Sequence, residues 1–389
     1  MVLPLDDRAV PPGYLGTGCR GVNVARDLLR LGQVRSLVGR DVQNEAQMPM
    51  PAARDAGERV RAPLFSSRRA YGALDLGTNN CRLLIARPGA AGTMTIVDAF
   101  SRVVRLGEGL LQTGGLSAAA QDRAVEALGI CADKLGRRGV WLTRNVATEA
   151  CRRATNGAAF IARVYAETGI ALDVISAGEE ARLAVLGCQA LIDPADGPAL
   201  VFDIGGGSTE LILARRSDAG DATILAWVSV PWGVVSLAET EPLELPEAER
   251  GPAYARMRGR VAAHLEDFAV RVAAAHDGPL QLLGTSGTIT TLASVELGLP
   301  SYDRRKVDGC TVGVAAMRAL SLQLSGLNPA ERALVGCIGR DRADLVVAGC
   351  AILEAVLDRW GRDSVRVADR GIREGILRTL MVRDGASLQ

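Results

Sequence analysis

Ten residues, Val201-Phe-Asp-Ile-Gly-Gly-Gly-Ser-Thr-Glu210, combine side chains and spacing able to do chemistry. An apolar run ends in Asp203, three glycines follow, and the apolar run resumes after Glu210 at Leu211-Ile-Leu213. That order reads as strand, tight turn, strand. Gly205, Gly206 and Gly207 strip the turn of side chains, so its backbone can take positive φ and approach a ligand closely. Backbone N–H groups exposed in such a turn make an anion-binding concavity, here with the N–H and hydroxyl of Ser208 at its end. Asp203 and Glu210 bracket it with carboxylates, which repel a phosphate unless a divalent cation lies between. The stretch therefore asks for phosphate and Mg²⁺ in one place, with Asp203 and Glu210 as metal ligands, directly or through water.

The pattern occurs earlier as Ala73-Leu-Asp75-Leu-Gly77-Thr-Asn-Asn80, before Leu83-Leu-Ile-Ala-Arg87. Asp75 aligns with Asp203, Gly77 with Gly205, and Leu83–Arg87 with Leu211–Arg215 at one constant spacing of 128 residues (203 − 75). An ungapped match over a whole strand–turn–strand is an internal repeat. It adds Asp75 as a third metal-binding candidate, and Thr78, Asn79 and Asn80 as phosphate contacts.

These two turns resemble the paired phosphate motifs of the actin, sugar-kinase and heat-shock-ATPase superfamily. The form with Gly-Gly-Gly-Ser-Thr-Glu resembles the exopolyphosphatase / guanosine pentaphosphate phosphatase (Ppx/GppA) family. Further motifs agree in order: Val146-Ala-Thr-Glu-Ala-Cys-Arg152, Gly178-Glu-Glu-Ala-Arg-Leu183, Gly284-Thr-Ser-Gly-Thr288, Arg342-Ala-Asp344 and Gly371-Ile-Arg-Glu-Gly375. The resemblance implies an α/β fold of two ribonuclease-H-like domains with an active-site cleft between them. It makes Glu180 the general base and Arg152 a bidentate phosphate fork. Asn80 departs from the pattern, where a serine is usual. Ser286 and Gly287, at a strand end opening a helix, offer a further anion site for a distal phosphate. Arg82 and Arg105 are weaker phosphate candidates.

The elements that must position these residues follow from periodicity. Strands are expected at about 70–77, 81–87 and 93–105, then a Ser117-capped helix, a strand at Val140–Leu142, helix over Glu149–Glu167 broken near Asn156-Gly157, a strand at Leu172–Ile175 and a helix from Glu179 to Ile192. Asp193-Pro-Ala-Asp-Gly-Pro198 reads as a linker, giving a first domain over 68–197 and a second over 198–389. The second repeats the three-strand meander, followed by a long helix after Pro246, a strand at Leu280–Leu283, a helix, two short helical segments, a helix over Asp344–Trp360, a strand at Val365–Ala368 and a helix at about 371–383. By superfamily analogy that last helix packs back across the first domain. Residues 1–67, rich in Pro, Gly, Arg, Asp and Gln, are expected to be a disordered extension.

Composition narrows the chemistry. At 389 residues and a net charge of +1, the chain has room for two cores and no polycationic surface, so nucleic acid is not an expected partner. Lys134 and Lys306 are the sole lysines and neither follows a glycine, so no Gly-Lys-Ser/Thr loop exists. The two histidines, His264 and His276, sit in a helix pattern as surface residues, which disfavours histidine-based zinc or Ser-His-Asp chemistry. Eight cysteines without a C-x-x-C pair, no membrane-length apolar run and no signal core point to a reduced, cytoplasmic protein. Trp141, Trp232, Phe100 and Phe202 are expected in the core, and the scarcity of aromatics favours inorganic polyphosphate over a guanine nucleotide as substrate. The expectation is a Mg²⁺-dependent phosphoanhydride hydrolase acting on polyphosphate or guanosine pentaphosphate. An ATP-dependent kinase of the superfamily and a non-catalytic regulator that binds polyphosphate or an alarmone are the alternatives. Oligomeric state stays open, a homodimer included.

Overall fold

A computed structural model describes residues 69–90, 93–361 and 363–386; the extension expected over 1–67 lies outside the described residues. The structure contains two mixed sheets, each built on a three-strand antiparallel meander. In the first, β1 (Ala70–Leu76), β2 (Asn80–Pro88) and β3 (Met94–Val103) are joined by β4 (Val140–Ala147) and β5 (Asp173–Val174) in the order β3-β2-β1-β4-β5. In the second, β6 (Ala199–Ile204), β7 (Thr209–Arg216) and β8 (Ala222–Val230) are joined by β9 (Gln281–Thr285), β10 (Thr311–Gly313) and β11 (Ser364–Ala368) in the order β10-β11-β9-β6-β7-β8.

The internal repeat extends to the register. Asp75 pairs with Arg82 across β1–β2, and Asp203 with Glu210 across β6–β7. The turns close alike, with Gly77 N donating to Asn80 O at 2.9 Å and Gly205 N to Ser208 O at 3.0 Å. Each meander carries an irregularity at the same place, Ile85/Ala86 and Leu213/Ala214. On the other side β1 runs parallel to β4 and β6 parallel to β9. Both centre strands are covered on two faces, so they read as unbroken apolar runs rather than alternating ones.

Helices cover the sheets. Ser117 caps α1 (Ala118–Arg137), its side chain accepting from Ala120 N. The helix over Glu149–Glu167 is broken near Asn156-Gly157 as expected, into α2 (Glu149–Arg153) and α3 (Gly157–Thr168); Thr155 and Asn156 between them bond to Gly114 and Leu116. Ser176 caps α4 (Ala177–Cys188), which begins two residues before the expected start. The second half adds α5 (Val234–Ala238), α6 (Glu247–Ala262), α7 (Ser286–Glu296), α8 (Val314–Gly326), α9 (Val346–Trp360) and α10 (Ile372–Arg383). β10 was not expected; three residues pairing at a sheet edge carry too little periodicity to be read.

Phe202, Phe268 and Leu353 are fully buried in the core of the second half, and each such side chain contributes roughly 1.5–3 kcal/mol. The closing helix α10 does return to the first sheet: Ile376, Leu377, Leu380 and Met381 share one core with Tyr71, Ala73, Leu84 and Val146. Its crossing with α4 is close because of glycine. A Cβ on Gly375 would lie 2.1 Å from Leu183 O, and one on Gly187 2.0 Å from Gly371 O. Trp141 departs from expectation: it is 45% exposed, with the Arg69 guanidinium 4.4 Å above its ring. Phe202 is buried and His264 exposed, as expected. Among the described residues no helix is long and apolar enough to cross a membrane, and the cysteines are free thiols.

Candidate active site

The ends of β1, β6 and β9 meet around one cavity of about 130 Å³. Asp75, Thr78, Asn79 and Asn80 reach it from the first turn, and Asp203, Gly205, Gly206, Gly207, Ser208 and Glu210 from the second. Glu180 comes from the first turn of α4, Ser286 and Gly287 from the start of α7. Thus every residue singled out for the site except Arg152 and Arg105 lines this space.

The two turns abut. A Cβ on Gly206 would stand 3.0 Å from Asn79 N, and one on Gly207 2.7 Å from Thr78 Oγ1. Close approach is therefore what requires these glycines. The expected positive φ is not found: Gly205, Gly206 and Gly207 are absent from the left-handed residues of the chain. Among the described residues, nothing accepts from the backbone N–H of Gly206, Gly207 or Ser208. Asp75 Oδ1, Thr78 Oγ1 and Asn79 Oδ1 are likewise buried without partners. Buried polar groups left open in this way mark a place where a ligand supplies the bonds. The Ser208 hydroxyl is committed differently from expectation, donating to Glu210 Oε1 at 2.8 Å alongside Ser229 at 2.8 Å. Asn80 accepts from Asn79 Nδ2 through its side-chain oxygen at 3.1 Å, so in place of a hydroxyl it braces the first turn.

Of the carboxylates that line the cavity, Asp75, Glu180, Asp203 and Glu210 are each pushed upward by burial. Asp203 rises to about 6, with Arg82 opposing and Asp75 adding to the effect. Glu210 rises to about 7 through burial and the charge of Asp203, opposed by its two serine donors. Burial also raises Asp75, against Arg82 and Arg373. Glu180 is raised well above the ordinary glutamate range by burial and Glu210, against Arg152. Its neighbour Glu179 turns away: Arg182 and Arg144 bind it and, despite its burial, hold it below the usual value.

Arg152 is the correction. It does not line the cavity. Its Nη1 donates to Glu180 Oε2 at 2.8 Å and to Ile175 O at 2.7 Å, and its Nε and Nη2 to Glu149 Oε2. The reason is local: α2 and α4 start side by side at the ends of β4 and β5, so the fork meets two carboxylates before it could reach an anion. Arg105 is also outside, paired with Asp344 at 2.6 Å. The arginines that do line the cavity are Arg82, Arg342, Arg370 and Arg373, with the Arg370 side chain paired to Asp308 at 2.7 Å. Burial, with Arg373 and Arg342 close by, lowers the Arg82 pKa, against the charges of Asp75 and Asp203. The sequence ranks Arg82 low, places Arg342 and Arg373 in family motifs without a site role, and gives no sign of Arg370. One signal was present: Arg82 occupies in the first hairpin the register position of Glu210 in the second.

Among the described residues no group of three or more Asp, Glu, His or Cys converges as a metal cage. Asp75, Asp203 and Glu210 therefore do not form a closed three-ligand site. The arrangement fits a cation such as Mg²⁺ that takes one or two carboxylates and completes its shell with water and phosphate oxygens, and the open Asp75 Oδ1 is a free donor for it.

A profile of the Ppx/GppA phosphatase family matches residues 84–384. The chain belongs to the Ppx/GppA phosphatase family. Among curated relatives it is 32% identical over 328 residues to "Exopolyphosphatase 2" of Mycobacterium tuberculosis, covering 79% of this chain and 97% of that one. It is 28% identical to "Guanosine-5'-triphosphate,3'-diphosphate pyrophosphatase" of Aeromonas salmonicida, covering 80% of this chain and 59% of that one. The crystal structure of an exopolyphosphatase from Cytophaga hutchinsonii superposes with a TM-score of 0.72 at 26% identity, over 82% of this chain and 100% of that one. The Aquifex aeolicus Ppx/GppA family member gives 0.68 at 27% identity, over 82% and 99%. This Ppx/GppA member therefore has the two-domain actin-like ATPase fold, with the cavity described above in its interdomain cleft.

Proposed function

We propose that this chain releases terminal orthophosphate from inorganic polyphosphate, with guanosine pentaphosphate as a second substrate, in a Mg²⁺-dependent reaction using Glu180 as base. The observation that carries this reading is the meeting, in one cavity, of unbonded turn N–H groups, an arginine cluster and a buried glutamate of raised pKa. Turn N–H groups suit the terminal phosphate, and Arg82, Arg342 and Arg373 suit the phosphates behind it. Glu180 takes a proton from water as the water oxygen bonds to the terminal phosphorus. The bridging P–O bond breaks, and the shortened chain leaves with the electron pair. A base serves best when its pKa nears the working pH; burial and Glu210 raise that of Glu180 in this direction, and Arg152 limits the rise. One or two of Asp75, Asp203 and Glu210, directly or through water, would hold Mg²⁺, whose charge offsets that of the phosphates.

The names of the relatives support the substrate class. The test is phosphate release from polyphosphate and from guanosine pentaphosphate, with Mg²⁺ or chelator, by wild type and Glu180→Gln. Loss of about 10²–10⁴ in kcat with little change in KM is expected for the variant. Unimpaired release by Glu180→Gln would remove Glu180 from its role, and release in chelator would remove the metal.

A further inference from the structure

The peptide units of the glycine turn are held from behind by the segment that opens α5. In a trans peptide the carbonyl and the following N–H point in opposite directions. Gly205 O accepts from Val234 N at 2.9 Å, and Gly206 O from Val235 N at 2.8 Å and Ser236 N at 3.4 Å. Gly207 O accepts from the Ser236 hydroxyl at 3.2 Å. These carbonyls belong to the same peptides whose N–H groups, on Gly206, Gly207 and Ser208, are left open at the cavity. Gly233 lets the segment come this close, since a Cβ there would stand 2.4 Å from Gly206 C.

The internal repeat shows what is particular to Ser236. In the first turn Gly107 N donates to Thr78 O at 2.9 Å, and Arg105 N to Asn79 O at 3.0 Å. Shifted by the repeat spacing of 128 residues (235 − 107), the first bond becomes Val235 N to Gly206 O, which is present. The second would become Gly233 N to Gly207 O. There the Ser236 hydroxyl is inserted instead, accepting from Gly233 N at 2.9 Å and standing 3.2 Å from Gly207 O and 3.4 Å from Gly233 O. At this bond the first turn is braced by backbone alone, and the second depends on one buried side chain.

We infer that Ser236 is a positioning residue for phosphate: its hydroxyl fixes the Gly207–Ser208 peptide so that the Ser208 N–H faces the anion. The inference rests on the phosphate reading of the cavity proposed above. Ser236 does not line that cavity, so it acts through the turn and not on the substrate. The other two peptides are pinned by main-chain N–H groups, which a change of side chain leaves in place. Without the hydroxyl, Gly207 O and Gly233 N each lose a partner, and the flexible glycine backbone lets the peptide rotate. A donor aimed at a charged oxygen is effective only while it is held in place beforehand.

Calorimetry on the full chain with Mg²⁺ and methylenediphosphonate, a diphosphate analogue that is not hydrolysed, tests the assignment. Ser236→Ala should weaken binding by about tenfold, the loss expected for one hydrogen bond to a charged acceptor. Ser236→Thr keeps the hydroxyl and should recover most of that affinity. Equal affinities of the wild type and Ser236→Ala, or equal losses in the two variants, overturn the assignment. A measurement on the wild type alone decides the matter if a variant does not fold. With the serine nitrogens isotopically labelled, the Ser208 amide proton should move downfield in the magnetic resonance spectrum as the analogue saturates the cavity; a resonance that stays in place overturns the assignment. Phosphate release from inorganic polyphosphate by the wild type is followed in parallel. Weakened binding in Ser236→Ala with no release by the wild type overturns the hydrolase reading alone. Release by the wild type with unchanged binding in Ser236→Ala overturns the positioning role alone, and a wild type that does not bind the analogue overturns both.

Discussion

Single side chains in the cleft are tuned against one another. Arg152 acts as a positioning residue: it touches no part of the cavity but grips Glu180 and keeps its pKa from rising further. Removing that charge in Arg152→Gln should move the acidic limb of the kcat/KM profile to higher pH, by about one unit, while Arg152→Lys restores much of it. A limb that stays in place would show that the arginine does not control the base. Asp203 carries an energetic consequence. Its pKa is raised from 3.8 to about 6 in the folded protein, so its contribution to stability is full below the unfolded value and is lost as pH rises through the folded one. Asp203→Asn should therefore abolish activity yet raise stability in chelator. The gain should grow from about pH 4, level off above about pH 6, and reach up to about 3 kcal/mol. Thermal unfolding of both proteins across that range checks it.

At the scale of elements, α10 ties the chain's last segment to the first sheet, and glycines set how closely it lies. Gly375→Ala would drive a methyl into Leu183 O, and overpacking of this kind costs about 1–3 kcal/mol. Gly259, exposed within α6 with nothing near its missing Cβ, is the contrast. Gly259→Ala should stabilise by about 0.5–1 kcal/mol through helix propensity. Urea unfolding of the two variants should give opposite shifts. The elements themselves were largely readable. Both meanders carry glycine or polar turns between long apolar strands, and Ser117 and the Ser176 region carry helix-start chemistry. What escaped was short: β10 has three residues.

At the scale of the whole molecule, the site exists because two repeats bring their turns together. Arg105–Asp344 spans the seam outside the phosphate cavity, at 33% and 20% side-chain exposure. A part-exposed pair is worth about 1 kcal/mol. Breaking it in Arg105→Gln should thus raise KM for polyphosphate by about fivefold with kcat within about twofold, since the pair lies outside the cavity that holds Glu180. Steady-state kinetics decide this, and a fall in kcat with constant KM would place Arg105 in the chemistry instead.

The sequence by itself determined the duplicated hairpin and the two acidic glycine turns, because these depend on local order: a strand's apolar run and a turn's small residues. Only the tertiary structure decided which cations face the phosphate cavity. Arg82, Arg342 and Arg373 arrive from β2, the segment before α9, and α10, far apart in the chain, whereas Arg152 lies close in sequence to Glu149 and is captured by it. Long, flexible guanidinium side chains go to the nearest unmatched carboxylate, and that neighbour is a product of packing rather than of spacing along the chain.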